Sequence, residues 1–100
     1  MTNLMRFEWD DAKEAINIRL HGIDFTLAAQ AARDPHRSEL FDVDHSDDED
    51  RWIIIGMGGT IPVILRVTVS EVDDSEVIRI ISARKANAAQ RALYFKQRKA

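Results

Sequence analysis

The chain has 100 residues, no cysteine, 45% hydrophobic and 31% charged residues, and a net charge of -3. That length makes one domain, residues 1–100, with one modest core, and the lack of thiols excludes a disulfide framework and a thiolate metal site. No apolar run approaches the ~20 residues of a membrane span, and Glu8 and Asp10 break the opening MTNLMRFEWD, so it does not read as a secretory signal and a cytoplasmic protein is expected.

The charge is unevenly spread. Residues 1–50 hold five basic and thirteen acidic side chains; residues 51–100 hold nine basic and four acidic. From Val77 onward there are seven Lys or Arg and no Asp or Glu. A polyanion would therefore be met by the C-terminal part and repelled by the N-terminal half.

In chain order, Arg6-Phe7-Glu8-Trp9 predicts a short strand with Phe7 and Trp9 on one face. A helix follows, capped by Asp10 or Asp11 with Glu14 as capping-box partner. Its apolar stripe is Ala12, Ala15, Ile16 and Leu20, and His21-Gly22 stops it. A second helix, capped by Asp24 or Thr26, runs through Leu27-Ala28-Ala29-Gln30-Ala31-Ala32 and ends before Pro35; its alanines permit close packing. Residues 38–43 predict an edge strand anchored by Leu40 and Val43. Residues 42–50, six of nine acidic, predict a loop.

Arg51-Trp52-Ile53-Ile54-Ile55 predicts a strand closed by a turn at Gly56, Gly58 and Gly59. Residues 62–70 alternate, with Val63, Leu65, Val67 and Val69 on one face and Ile64, Arg66, Thr68 and Ser70 on the other. Asp73-Asp74-Ser75 is the next turn, Val77-Ile78-Arg79-Ile80-Ile81 the third strand of a meander, and Ser82-Ala83-Arg84-Lys85 its polar end. A C-terminal helix begins near Asn87, with Ala88, Ala89, Ala92 and Phe95 as its apolar stripe and Tyr94 at the stripe's boundary. The order predicts an α+β fold: two N-terminal helices and a C-terminal helix packed on a mainly antiparallel sheet. Trp9 and Trp52 are expected in the core.

Arg84 and Lys85, delivered to a strand end beside a helix start, form an anion site, and the anion expected for a protein this small is a phosphate of RNA, DNA or a nucleotide. The alternatives are a cationic cluster that meets acidic groups of a protein partner, or merely a solvated strand end.

Several blocks resemble one family in order and spacing: Phe7-Glu8-Trp9-Asp10, then Lys13 and Asn17; His21-Gly22-Ile23 with Phe25 and Ala28-Ala29; Asp34-Pro35; Asp44-His45-Ser46 with Glu49 and Arg51; and Ile78-Arg79-Ile80-Ile81-Ser82-Ala83-Arg84-Lys85-Ala86 with Arg91 and Tyr94. Together they resemble the BrnT toxins of bacterial type II toxin–antitoxin pairs over nearly the whole chain. The resemblance implies a RelE-like fold and an endoribonuclease that inhibits translation. It also implies a ribbon-helix-helix antitoxin, encoded adjacently, through which alone operator DNA is bound. A second reading is a catalytically weak partner and co-repressor of that antitoxin, because Thr60-Ile61-Pro62 and Asp73-Asp74 stand where basic residues are common in such toxins.

Cleavage by 2′-hydroxyl attack needs a base, a cationic hold on the phosphorane and an acid for the 5′-oxygen. Arg84 and Lys85 are the expected phosphate clamp. Arg79 in the middle of its strand is either catalytic or paired with Glu49 or Glu71. Arg51 and Arg66 on neighbouring strands either extend the positive groove or form strand-face ion pairs. His45 is either the general base or, with Ser46 and Glu49, an organiser of the acidic loop. Ser82 and Arg91 join the RNA-facing set; Tyr94 either stacks on a base or covers the helix–sheet core. His21 reads as a helix C-terminal cap. No metal or other cofactor is expected, since no second spaced histidine accompanies Asp44, His45 and Asp47.

Overall fold

The computed structural model describes residues 5–45, with the backbone alone of His45, and residues 49–98. The elements are β1 (Met5–Glu8), α1 (Asp11–His21), α2 (Phe25–Ala32), β2 (Ser38–Phe41), a 3₁₀ turn (Val43–His45), β3 (Arg51–Gly58), β4 (Ile61–Val72), β5 (Ser75–Lys85) and α3 (Ala88–Arg98). The five strands form one sheet in the order β1-β5-β4-β3-β2, antiparallel except for the β1–β5 pair. This is the expected α+β class, with three helices on a mostly antiparallel sheet.

Local chemistry explains the meander. The β4–β5 hairpin closes on Asp73 and Asp74 with φ of 51° and 63°. Two left-handed residues in a two-residue loop match the twist of the flanking strands, and Asp tolerates that backbone better than most side chains. The β3–β4 hairpin turns at Gly59-Thr60, Gly59 with φ of 60°.

Gly56 and Gly58 lie within β3, not in the turn as the sequence suggested. They serve α2. A Cβ on Gly56 would overlap the carbonyl of Ala31, and one on Gly58 would sit 2.9 Å from Leu27. The missing side chains let Ala28, Ala31 and Ala32 press onto the strand, where they join Ile54, Val63, Leu65, Val67, Ile78 and Ile80 in the main core. Trp9 closes one end of that core, edge-on to Phe25 at 6.1 Å.

Both helix caps at this end are aspartates. Asp10 accepts from the N–H groups of Ala12 (2.8 Å) and Lys13 (3.2 Å), and Asp24 from that of Leu27 (2.7 Å). Glu14 does not complete a capping box; its carboxylate accepts from the Phe25 N–H at 2.8 Å and ties α1 to the start of α2.

The predicted stripe of α1 is not its buried face. Ile16 and Leu20 are 47% and 66% exposed, and Asn17 is the helix's buried residue. The reason lies in β5. Its pairing with β1 ends at Arg79, yet the strand runs on to Lys85, so its outer edge beyond Arg79 needs partners for backbone N–H and C=O groups. Apolar side chains cannot supply them. The Asn17 amide does, accepting from Ala83 N–H (3.0 Å) and donating to the carbonyls of Ala83 (2.8 Å) and Ile23 (2.9 Å).

Two further expectations change. The edge strand stops at Phe41; Leu40 is 45% and Val43 74% exposed, while Ser38 and Asp42 are buried. In α3 the alanines and Phe95 face outward, and Tyr94 is the buried side chain, packed with Ile55, Ala86, Met57 and Ile64 on the sheet face opposite α1 and α2. The helix starts from a reciprocal cap: Asn87 Oδ1 accepts from Gln90 N–H at 2.8 Å and Gln90 Oε1 from Asn87 N–H at 2.9 Å.

Candidate active site

The sheet has one face under α1 and α2 and one only partly covered by α3. Cross-strand partners share a face, so the pairing register assigns each residue. On the face opposite α1 and α2, Arg51, Thr68 and Arg79 form one row, Ile53, Arg66 and Ser82 the next, and Ile55, Ile64 and Arg84 a third. Four guanidinium-bearing residues from three strands thus start from one surface.

A single β-bulge makes this so. Arg66 pairs with Ser82, but its neighbour Val67 pairs with Ile80, so Ile81 is the extra residue of β5. Before the bulge Ile78 and Ile80 point to the helices; after it Ala83 does. Unbroken alternation would have sent Ser82 and Arg84 into the helix side and Ala83 out. The bulge turns Arg84 outward beside Arg66, its diagonal neighbour.

The outcome is a groove of about 290 Å³ lined by Ile53, Ile64, Arg66, Ser82, Ala83 and Arg84, with Gln90 of α3 on one wall and His21 of α1 on another. The Arg84 guanidinium is steered by Gln90, donating to its Oε1 at 3.4 Å, and by the Lys85 carbonyl at 3.5 Å. These are long contacts, so its remaining donors stay available. Among the described residues no carboxylate lines the groove, so the lining they form is positive and suited to a phosphodiester.

The expected site residues separate accordingly. Arg66, Ser82 and Arg84 come together in the groove. Lys85 does not join them: it pairs with Val63 of the main core, so the strand's alternation sends it to the helix side, away from Arg84. Arg79 is exposed, not buried. It donates to Glu8 at 3.3 Å across the β1–β5 pair, rather than to Glu49 or Glu71. Arg51 keeps its place on the open face in the outer row, and its carbonyl accepts from Asp42 N–H at 2.8 Å. Arg91 is exposed and donates to the Ala86 carbonyl at 2.9 Å, closing the first turn of α3. Glu49 is exposed but does not line the groove. The side chain of His45 and Ser46 lie outside the described residues.

Tyr94 covers the core and does not stack on RNA. Its ring is 0% exposed and its hydroxyl donates to Asp34, whose carboxylate also accepts from the N–H groups of His36 (2.8 Å) and Met57 (2.8 Å). Burial, that hydrogen bond and the Asp34 charge push the Tyr94 hydroxyl up to about 12. Burial alone would raise Asp34, but the hydrogen bonds from Tyr94, His36 and Met57 outweigh it and hold the carboxyl below its ordinary value. This knot fastens α3 over β3 and so fixes the Gln90 wall.

Two residues of the site were missed. His21 faces the groove and is not the helix cap: Gly22, with φ of 70°, closes α1 by donating to the Ile18 carbonyl at 2.7 Å. Asn17 holds α1 where His21 reaches the groove. Its sequence signals were its place in the family resemblance and a carboxamide lying one position from Ile16 and Ile18 in a helix otherwise read by its apolar residues.

A five-stranded sheet that gathers arginines on its partly covered face defines a small α+β protein with a cationic groove. The family model described as the ribonuclease toxin BrnT of type II toxin–antitoxin systems matches residues 9–90, and the chain belongs to that family. No curated protein matches the chain. Membership makes RNA the class of substrate and an antitoxin the class of partner. Among the described residues, no helix is long and apolar enough to cross a membrane.

Proposed function

We propose that this chain is a metal-independent endoribonuclease that cleaves RNA by 2′-hydroxyl attack in the groove between α3 and the end of α1, and thereby inhibits translation. The observation that carries the reading is the bulge at Ile81, which sets Arg84 beside Arg66 and Ser82 on the open face. Arg66 and Arg84 grip the non-bridging oxygens of the scissile phosphate through their planar forks and stabilise the charge of the phosphorane. Ser82 offers a hydroxyl to the same group. The 2′-oxygen attacks phosphorus, the bond to the 5′-oxygen breaks, and the products carry a 2′,3′-cyclic phosphate and a 5′-hydroxyl. The described lining of the groove is cationic or neutral, and in this reading its guanidinium groups carry the charge-stabilising task a metal would otherwise perform. Arg51, lying in the outer row, extends the track for the flanking strand.

The partner in this reading is an adjacently encoded ribbon-helix-helix antitoxin. It covers the groove with acidic groups and supplies all contact with operator DNA, while the toxin works in the cytoplasm. The acidic N-terminal half supports that division, since it opposes a broad DNA footprint of the toxin's own. Purified chain incubated with a labelled RNA and excess EDTA should produce fragments ending in 2′,3′-cyclic phosphate. Intact RNA with correctly folded protein, or cleavage abolished by the chelator, contradicts the proposal. The acidic Asp73-Asp74 hairpin favours a second reading, a catalytically weak co-repressor. Expression alone in a bacterial host separates the two by growth arrest or normal growth.

A further inference from the structure

We propose that His21 is the proton-transferring residue of the groove, a role that rests on the ribonuclease reading above. Of the described side chains lining the groove, two are arginines, whose guanidinium groups offer donors and no acceptor. Ile53, Ile64 and Ala83 carry no polar group, and the Ser82 hydroxyl and Gln90 carboxamide are poor bases. Among the described lining groups the imidazole is the one whose chemistry serves as general base. It engages no hydrogen-bond partner among the described residues, so its nitrogens remain open to a ligand. Its backbone is fixed from both sides: the Asn17 amide pins the helix to Ala83 at 2.8 Å and 3.0 Å, and the Gly22 cap ends α1 directly after it. An exposed histidine with no structural contact, presented by a rigid helix end to two arginines, has the placement that proton transfer requires.

In the step so defined, a ring nitrogen of His21 takes the 2′-hydroxyl proton as the 2′-oxygen forms its bond to phosphorus. The electron pair of the breaking bond stays on the 5′-oxygen, which takes a proton from water, and the imidazolium returns its proton to solvent. No net oxidation occurs and the proton count balances.

The test compares wild type, His21→Ala and Arg84→Ala on one labelled RNA, measuring single-turnover cleavage and RNA affinity, with and without added imidazole. His21→Ala should cut ~10²- to 10⁴-fold more slowly, bind RNA within about threefold of wild type, and regain rate when imidazole is supplied. Arg84→Ala should gain nothing from imidazole. Wild-type rates in His21→Ala overturn the assignment, as does a loss that follows weakened RNA binding and imidazole cannot repair. A wild-type chain that leaves the RNA whole overturns the ribonuclease reading itself and the role of His21 with it.

Discussion

The side-chain amide of Asn17 holds both backbone polar groups of Ala83, with its oxygen 3.0 Å from the nitrogen and its nitrogen 2.8 Å from the carbonyl oxygen. One carboxamide thereby does for the free edge of β5 what another strand would have done, across 66 residues of sequence. The same contact sets the end of α1 against the strand that carries Ser82 and Arg84. Stability and site geometry therefore depend on one side chain.

Asn17→Leu should keep the helix but leave the buried N–H of Ala83 and two carbonyls without partners. The expected loss is about 1–3 kcal/mol of unfolding free energy, the usual cost of a buried group left unsatisfied. Urea denaturation reads it directly. An unchanged midpoint would mean that water or another donor replaces the amide at no cost.

Close approach of α2 makes a second expectation. Gly56→Ala places a methyl group into the Ala31 carbonyl, backbone against backbone, so neither side can yield by rotating a side chain. About 1–3 kcal/mol of destabilisation follows from such overpacking. Gly22→Ala meets open space, but its φ of 70° costs about 1 kcal/mol in a residue with a Cβ. Thermal unfolding should rank Gly56→Ala below Gly22→Ala, and the reverse ranking would refute the packing account.

The meander was readable from local chemistry because alternation and turn residues act over a few positions. Val63, Leu65 and Val67 fell on the core face as their spacing demanded, and Asp73-Asp74 turned the chain where expected. What could not be read depends on distant partners. The run Val77-Ile78-Arg79-Ile80-Ile81 is apolar at both residues before the phase shift, so it does not reveal which isoleucine is the extra one. Lys85 was misplaced for that reason, whereas Arg66, Ser82 and Arg84 do lie on one face. The helices misled differently. Apolar residues on α1 and α3 suggested stripes, but α1 was claimed by a strand edge in need of hydrogen bonds and α3 by the carboxylate of Asp34. Neither demand is written in the helices' own periodicity, so the roles of Asn17 and His21 went unforeseen and the choice between the two roles of Tyr94 stayed open.

The Tyr94–Asp34 pair should give stability two pH limits. Tyr94 rises from 10.0 to about 12 on folding, so its contribution is complete below pH 10 and disappears as pH climbs through 12. Asp34 moves down from 3.8, so its contribution is complete above that value and is lost as pH falls through its lower folded value. Between roughly pH 5 and 9 the difference in thermal midpoint between wild type and Tyr94→Phe should be flat, and it should shrink toward both extremes. A difference independent of pH from 3 to about 12 would show that the hydroxyl–carboxylate contact adds nothing.

The surface ion pair of Arg79 with Glu8 should matter little to folding. Both side chains are about half exposed, and such pairs contribute about 0–1 kcal/mol. Glu8→Gln should shift the urea midpoint only slightly. A large shift would indicate that Arg79 has a structural task beyond this contact.

The account stands on the claim that the bulge at Ile81 sends Arg84 into the groove and Lys85 to the opposite face. Single-turnover cleavage of one RNA by Arg84→Ala and by Lys85→Ala measures that claim most directly. The predicted result is a loss of about 10²–10³ for Arg84→Ala, the scale of removing one charge-stabilising donor, with Lys85→Ala within a few-fold of wild type. Equal losses from both variants, or full activity without the Arg84 guanidinium, would contradict it.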